Sequence, residues 1–108
     1  MQVEFQNVGN AVVAIAAGRL DFGAATGFQQ QLEQAIAAKP AKFVVDCAAL
    51  EYVSSAGLRS FLVAARAAKA AGTSFSACAL QPSVKEVFEI SGFSRVIQLF
   101  NDRAAAVA

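Results

Sequence analysis

Between two stretches of helical spacing the chain runs Lys42-Phe43-Val44-Val45-Asp46. Its apolar residues are continuous rather than alternating, which predicts a short strand covered on both faces. A strand of that kind belongs in a sheet whose neighbours are reached through helical crossovers. The flanking residues supply such helices. Before it, Ala25, Phe28, Leu32, Ala35 and Ile36 recur at helical spacing while Gln29, Gln30, Glu33 and Gln34 form the wet side. Lys39-Pro40 ends that helix, since proline disfavours helical geometry in the residue before it. After it, Cys47 to Val53 reads as a connection, and Leu58, Phe61, Leu62 and Ala65 mark the inner face of a second helix that stops at Gly72.

The remaining segments complete an α/β pattern. Val3 to Gln6 alternates, Gly9-Asn10 signals a turn, and Ala11 to Ala17 reads as the largely buried second strand of a hairpin. Gly18 to Gly23 leaves that strand and opens the first helix. Thr73 to Leu80 is a further strand, and Pro82 opens a helix with Val84, Val87 and Phe88 inward, closed by Ser91-Gly92-Phe93. A brief strand over Val96 to Leu99 follows, and Ala104 to Ala108 forms a possible last helix or a fraying tail. The predicted order is ββαβαβαβ: a central mixed sheet of about five strands with about four helices packed mainly on one side. Residues 1–108 read as one domain with one core, consistent with 56% hydrophobic content.

Charge and residue usage remove several classes of function. Nine Lys+Arg against eight Asp+Glu give a net charge of +1 with no basic block, so nucleic acid is not an expected partner. Histidine is absent, which removes the Ser-His-Asp triad and His-ligated zinc, and no metal or cofactor is expected. Cys47 and Cys78 belong to no C-x-x-C pattern and read as ordinary buried residues. No apolar run approaches the roughly 20 residues of a membrane span, so no membrane insertion is expected. The N-terminus MQVEFQNVGN lacks the features of a signal peptide, and the expected location is cytoplasmic.

In an open α/β sheet, sites form beyond the carboxyl ends of the strands. Asp21 follows one predicted strand, Asp46 ends another, and Ser54-Ser55 precede the helix after it. If those strands are adjacent and parallel, the acids and the hydroxyls share one rim. Each has a plainer reading too: Ser54 or Ser55 as a helix cap, Asp21 and Asp46 as caps or turn residues. Arg59, Val63 and Arg66 share the outer face of the second helix, either as a solvated stripe or as a partner contact.

The Leu20-Asp21 pair, Val44-Val45-Asp46, the turn Ser54-Ser55-Ala56-Gly57-Leu58 and Ser91-Gly92-Phe93 stand in the order and approximate spacing of one family. Over nearly its whole length the chain resembles STAS domains, and within them the bacterial anti-sigma factor antagonists. The resemblance implies a STAS-type fold and a protein without catalytic activity. Its partners would be an anti-sigma factor serine kinase, from which binding releases a sigma factor, and a serine phosphatase that reverses phosphorylation. In the family's turn the phosphoacceptor directly follows an aspartate; here Ser54 holds the aspartate position, Ser55 the acceptor position, and Ala56-Gly57 complete the turn.

The chemistry fits, because a kinase brings its own base and metal and the substrate need only present a hydroxyl. Phosphate at Ser55 would carry about −1.5 to −2 charges beside N–H groups that tolerate an anion. Two other readings stay open. One keeps the fold without the switch, as a STAS scaffold subunit of a signalling or lipid-transport assembly, favoured by the missing aspartate. The other makes Ser55 an enzymatic nucleophile, which requires a base from Asp21, Asp46, Glu51 or a lysine.

Overall fold

The computed structural model describes residues 1–108. Strand β1 (Gln2–Val8) and strand β2 (Ala11–Leu20) form the expected hairpin. Helix α1 (Phe22–Ala37) leads to β3 (Lys42–Val53), helix α2 (Ser55–Ala71) to β4 (Ser74–Cys78), and helix α3 (Pro82–Ile90) with a 3-10 turn (Phe93–Arg95) to β5 (Gln98–Phe100). Helix α4 (Arg103–Val107) follows. The sheet order is β1-β2-β3-β4-β5, with β1 antiparallel and every other pairing parallel. Gln2 pairs with Ala17, so the chain's first residue lies at the end of β2 that leads into α1.

One face of the sheet carries the main core. Phe28, Leu32 and Ile36 of α1, Phe61, Ala64 and Ala68 of α2, and Val84 and Phe88 of α3 are buried there against Ala14, Phe43, Val45 and Leu50. Phe28 meets Phe61 at 5.2 Å between ring centroids, and Phe61 meets Phe88 at 5.1 Å nearly edge-on, so one ring joins three helices. Such pairs add about 0.5–1.5 kcal/mol each beyond area burial. The other face has a small cluster, Val13, Val44, Cys78 and Ala106, roofed by α4.

Several expected details differ. β3 does not end at Asp46 but continues through Cys47–Val53, which was expected to be a connection. Its pairing with β2 shifts register between Ile15 and Ala17 and again between Gly18 and Arg19, and each shift interrupts the two-residue alternation that announces a strand. β2 likewise extends to Leu20. On α2, Leu62 is only half-buried and Ala64 takes the inner position, because the sheet lies nearer the Leu58–Phe61–Ala65 line. Val87 of α3 is 36% exposed, since the short helix covers the core through Val84 and Phe88 alone. The alanine-rich tail is helical and packed: Asp102 caps it through the Ala105 N–H at 2.8 Å, and Ala106 is buried.

Candidate functional site

The carboxyl ends of β2 and β3 lie side by side, with Leu20 paired to Val53. Each strand is followed at once by a capped helix. Asp21 Oδ1 accepts from the Ala24 N–H at 3.0 Å to start α1, and Ser54 Oγ accepts from the Gly57 N–H at 3.1 Å to start α2. Both caps supply an acceptor that the first helical turn lacks. The Ser54 N–H donates to the Leu20 carbonyl at 2.9 Å, which fastens the α2 start to the end of β2. A Cβ on Gly57 would stand 2.8 Å from both the Leu20 Cγ and the Leu20 oxygen, so only glycine permits this approach.

The two serines are thereby distinguished. Ser54 is half-buried and its oxygen is committed to the cap; Ser55, the first residue of α2, is exposed and its hydroxyl joins no hydrogen bond within the chain. Ala56 is half-buried behind it. Asp21 is exposed on the same rim.

Asp46 is not there. It is 7% exposed in the middle of β3, seven residues before Val53 and so on the order of 20 Å from the rim at strand spacing. Its Oδ2 accepts from Arg103 Nε and Nη2, both at 2.9 Å, its Oδ1 accepts from the Ala48 N–H at 3.0 Å, and Arg103 Nη1 reaches Gln6 Oε1 at 3.0 Å. The expectation that Asp46 shares the rim with Asp21 and Ser55 fails because β3 runs on past it. Asp46 instead ties α4 to the far face of the sheet.

The cysteines lie on opposite faces, Cys47 in the main core and Cys78 under α4. Burial pushes the Cys47 thiol far above its ordinary range. Burial pushes Cys78 up to about 11, with Asp46 adding to the rise and Arg103 opposing it. Both are therefore neutral thiols at physiological pH, without nucleophilic character.

Arg59 and Arg66 are exposed and Val63 is half-buried along α2 beyond Ser55. Neither arginine has an ionic partner, for Arg103–Asp46 is the chain's sole salt bridge. Sequence reasoning missed a further rim feature: Phe22, first residue of α1, is 84% exposed. It is in phase with the buried Ala25–Phe28–Leu32 stripe but one turn ahead of it, where the sheet has ended. An aromatic directly after the Asp21 cap was the available signal. Near the carboxyl ends of β2 and β3, the Arg19 guanidinium sits 4.3 Å from the centroid of the Tyr52 ring, its neighbour across the two strands.

The STAS domain family model matches residues 2–106. The chain belongs to the STAS domain family. It is 32% identical over 108 residues to the "Putative anti-sigma factor antagonist BtrV" of Bordetella bronchiseptica, across 100% of this chain and 93% of that one. Its fold is similar to the crystal structure of an anti-sigma factor antagonist from Mycobacterium paratuberculosis, with a TM-score of 0.88 at 20% identity over 98% of this chain and 90% of the other. It is also similar to the Bacillus cell fate determinant SpoIIAA in its phosphorylated form, with a TM-score of 0.72 at 21% identity over 98% and 96% of the two chains. The STAS chain thus stands among the anti-sigma factor antagonists, which are non-enzymatic regulators. No helix of it is long and apolar enough to cross a membrane.

Proposed function

We propose that this STAS domain is an anti-sigma factor antagonist switched at Ser55. Unmodified, it binds an anti-sigma factor serine kinase through the rim around Ser55 and the outer face of α2, including Arg59, Val63 and Arg66, and a sigma factor is released. The kinase phosphorylates Ser55 and ends the contact, and a serine phosphatase restores it. The observation that carries this reading is the division of labour in the turn: Ser54 is occupied as a cap while Ser55 presents a free hydroxyl. The 32% identity to the Bordetella relative supports the partner class. Phe22 adds an exposed aromatic suited to anchoring such a contact.

A phosphate on Ser55 would lie against the first-turn N–H groups of α2, which stabilise an anion, so the fold is retained. The partner, by contrast, would meet up to two new negative charges in a desolvated interface and the exposed Asp21 nearby. A working switch needs a loss of roughly 3 kcal/mol, about 150-fold in affinity. The competing reading, a scaffold subunit that is never phosphorylated, draws on serine rather than aspartate at position 54.

Incubation with the cognate kinase and ATP, followed by phosphopeptide mapping, separates the two. Label is expected on Ser55, retained in Ser54→Ala and lost in Ser55→Ala, with Ser55→Ala still binding the kinase. Label on Ser54 alone, or on neither serine, rejects the switch.

A further inference from the structure

A second surface lies away from the rim. The C-terminal half of α2, the start of β4 and the 3-10 turn enclose a groove of about 380 Å³ lined by Ala65, Arg66, Lys69, Phe75, Arg95 and Val96. Three of its six lining residues are cations and none is acidic. None of the three takes part in a salt bridge. Lys69 in the last turn of α2 has a local role against the helix dipole, but Arg66 and Arg95 lie outside that turn and come from different elements. Such a convergence in a chain of net charge +1 creates a local positive field that the chain itself leaves unanswered.

The floor is apolar and firm. Phe75 stacks on the buried Phe43 ring, with centroids 5.7 Å apart and planes 10° from parallel, and Ala65 is buried beside it. Val96 stands 58% exposed at the edge. A small free anion would leave this apolar floor unused. The volume lies within the ~300–1,000 Å³ of ligand clefts and suits a few side chains. A flat lipid surface could not follow the concavity.

We infer that this groove docks an acidic peptide segment of a protein partner, with one apolar side chain on Phe75 and Val96 and flanking carboxylates on Arg66, Lys69 and Arg95. Arg66 lies eleven residues beyond Ser55 on α2, about 17 Å along the helix and more than a Debye length at physiological salt. Peptide docking on the free chain is therefore indifferent to the state of Ser55, so its failure would not touch the phosphorylation switch; because the proposed kinase contact also takes in Arg66, kinase and peptide would compete for that residue.

The test titrates isotope-labelled protein with a peptide of about ten residues alternating Glu and Leu, and reads amide chemical shifts. Shifts should concentrate at Arg66, Lys69, Arg95 and Val96, shrink as salt rises, and persist in Ser55→Asp. The double variant Arg66→Gln/Arg95→Gln, changed only at exposed side chains, should keep the wild-type spectrum elsewhere and bind about three- to tenfold more weakly. The same peptide with Gln in place of Glu should not bind. Absent or scattered shifts, or equal binding of the Gln peptide, overturn the inference. So does capture of the same residues by phosphatidylserine vesicles with no response to the peptide, which would make the groove a lipid contact.

Discussion

The two faces of this sheet are stabilised by different physics. The face beneath α1, α2 and α3 is a continuous apolar layer joined through Phe61, and its strength lies in burial and ring packing. The opposite face has a small apolar cluster under a five-residue helix, and a carboxylate–guanidinium clasp holds that helix down. A broad roof can rely on area alone. A narrow one buries too little, and Asp46 with Arg103 and Gln6 supplies the direction that area does not.

The largest effect should come from the helical face. Phe61→Ala removes the ring shared by three helices and should destabilise the domain by about 3–5 kcal/mol in denaturant unfolding. A loss under about 1 kcal/mol would show that the two faces are not so unequal.

On the other face, Arg103→Met leaves Asp46 buried without its cation. The guanidinium is partly exposed, so a loss of about 1–3 kcal/mol is expected, below the figure for a fully buried pair. Replacing both partners, as Asp46→Leu with Arg103→Met, should recover most of that loss. If the double variant is as unstable as the single, apolar contact does not substitute for the clasp.

Titration probes the same face. The Cys78 thiol is raised from 9.0 to about 11 in the folded chain, so above pH 9 the unfolded chain has lost a proton that the folded one keeps. Stability contributed by the neutral thiol is therefore complete below pH 9 and should decline between about pH 9 and 11, by up to a few kcal/mol. Cys78→Ala should roughly halve that decline, because the Cys47 thiol, raised further still, contributes its own over the same range. Equally steep curves would mean that other groups govern it.

The smallest effects belong to the rim, which is part of neither face. Ser54→Ala should cost about 1 kcal/mol through the lost cap, and Ser55→Ala less than about 0.5 kcal/mol. Equal thermal shifts for the two would contradict the separation of roles in the turn.

The same contrast governs what could be read from the residues. Ala25, Phe28, Leu32 and Ile36, or Leu58, Phe61 and Ala65, repeat within one helix, so the apolar face announces itself locally. Gly72 could also be read as a stop, and it is left-handed at φ 76°. The clasp joins residues 57 positions apart and leaves no local trace. The residues around Asp46 therefore do not announce its place in the middle of β3, and two register shifts together with exposed Ala48, Ala49, Glu51 and Tyr52 hide the second half of that strand. In the turn, caps act over three residues, which is why the positions of Ser54 and Ser55 were legible. The position that Ser54 holds in the family's turn already marks it as the capping hydroxyl, and its bond from the Gly57 N–H bears that out.

The antiparallel hairpin has a practical bearing on how the molecule can be handled. Because β1 runs back along β2, Met1 comes within 3.5 Å of where a Gly18 side chain would begin, at the end of the sheet that carries Ser55. Ala108 lies at the other end, its carbonyl bonded by Lys42 at the start of β3. An affinity handle or fluorophore joined to the last residue would stand clear of the serine turn. The same attachment at the first residue would crowd it, and would be a poor choice for measuring any contact made there.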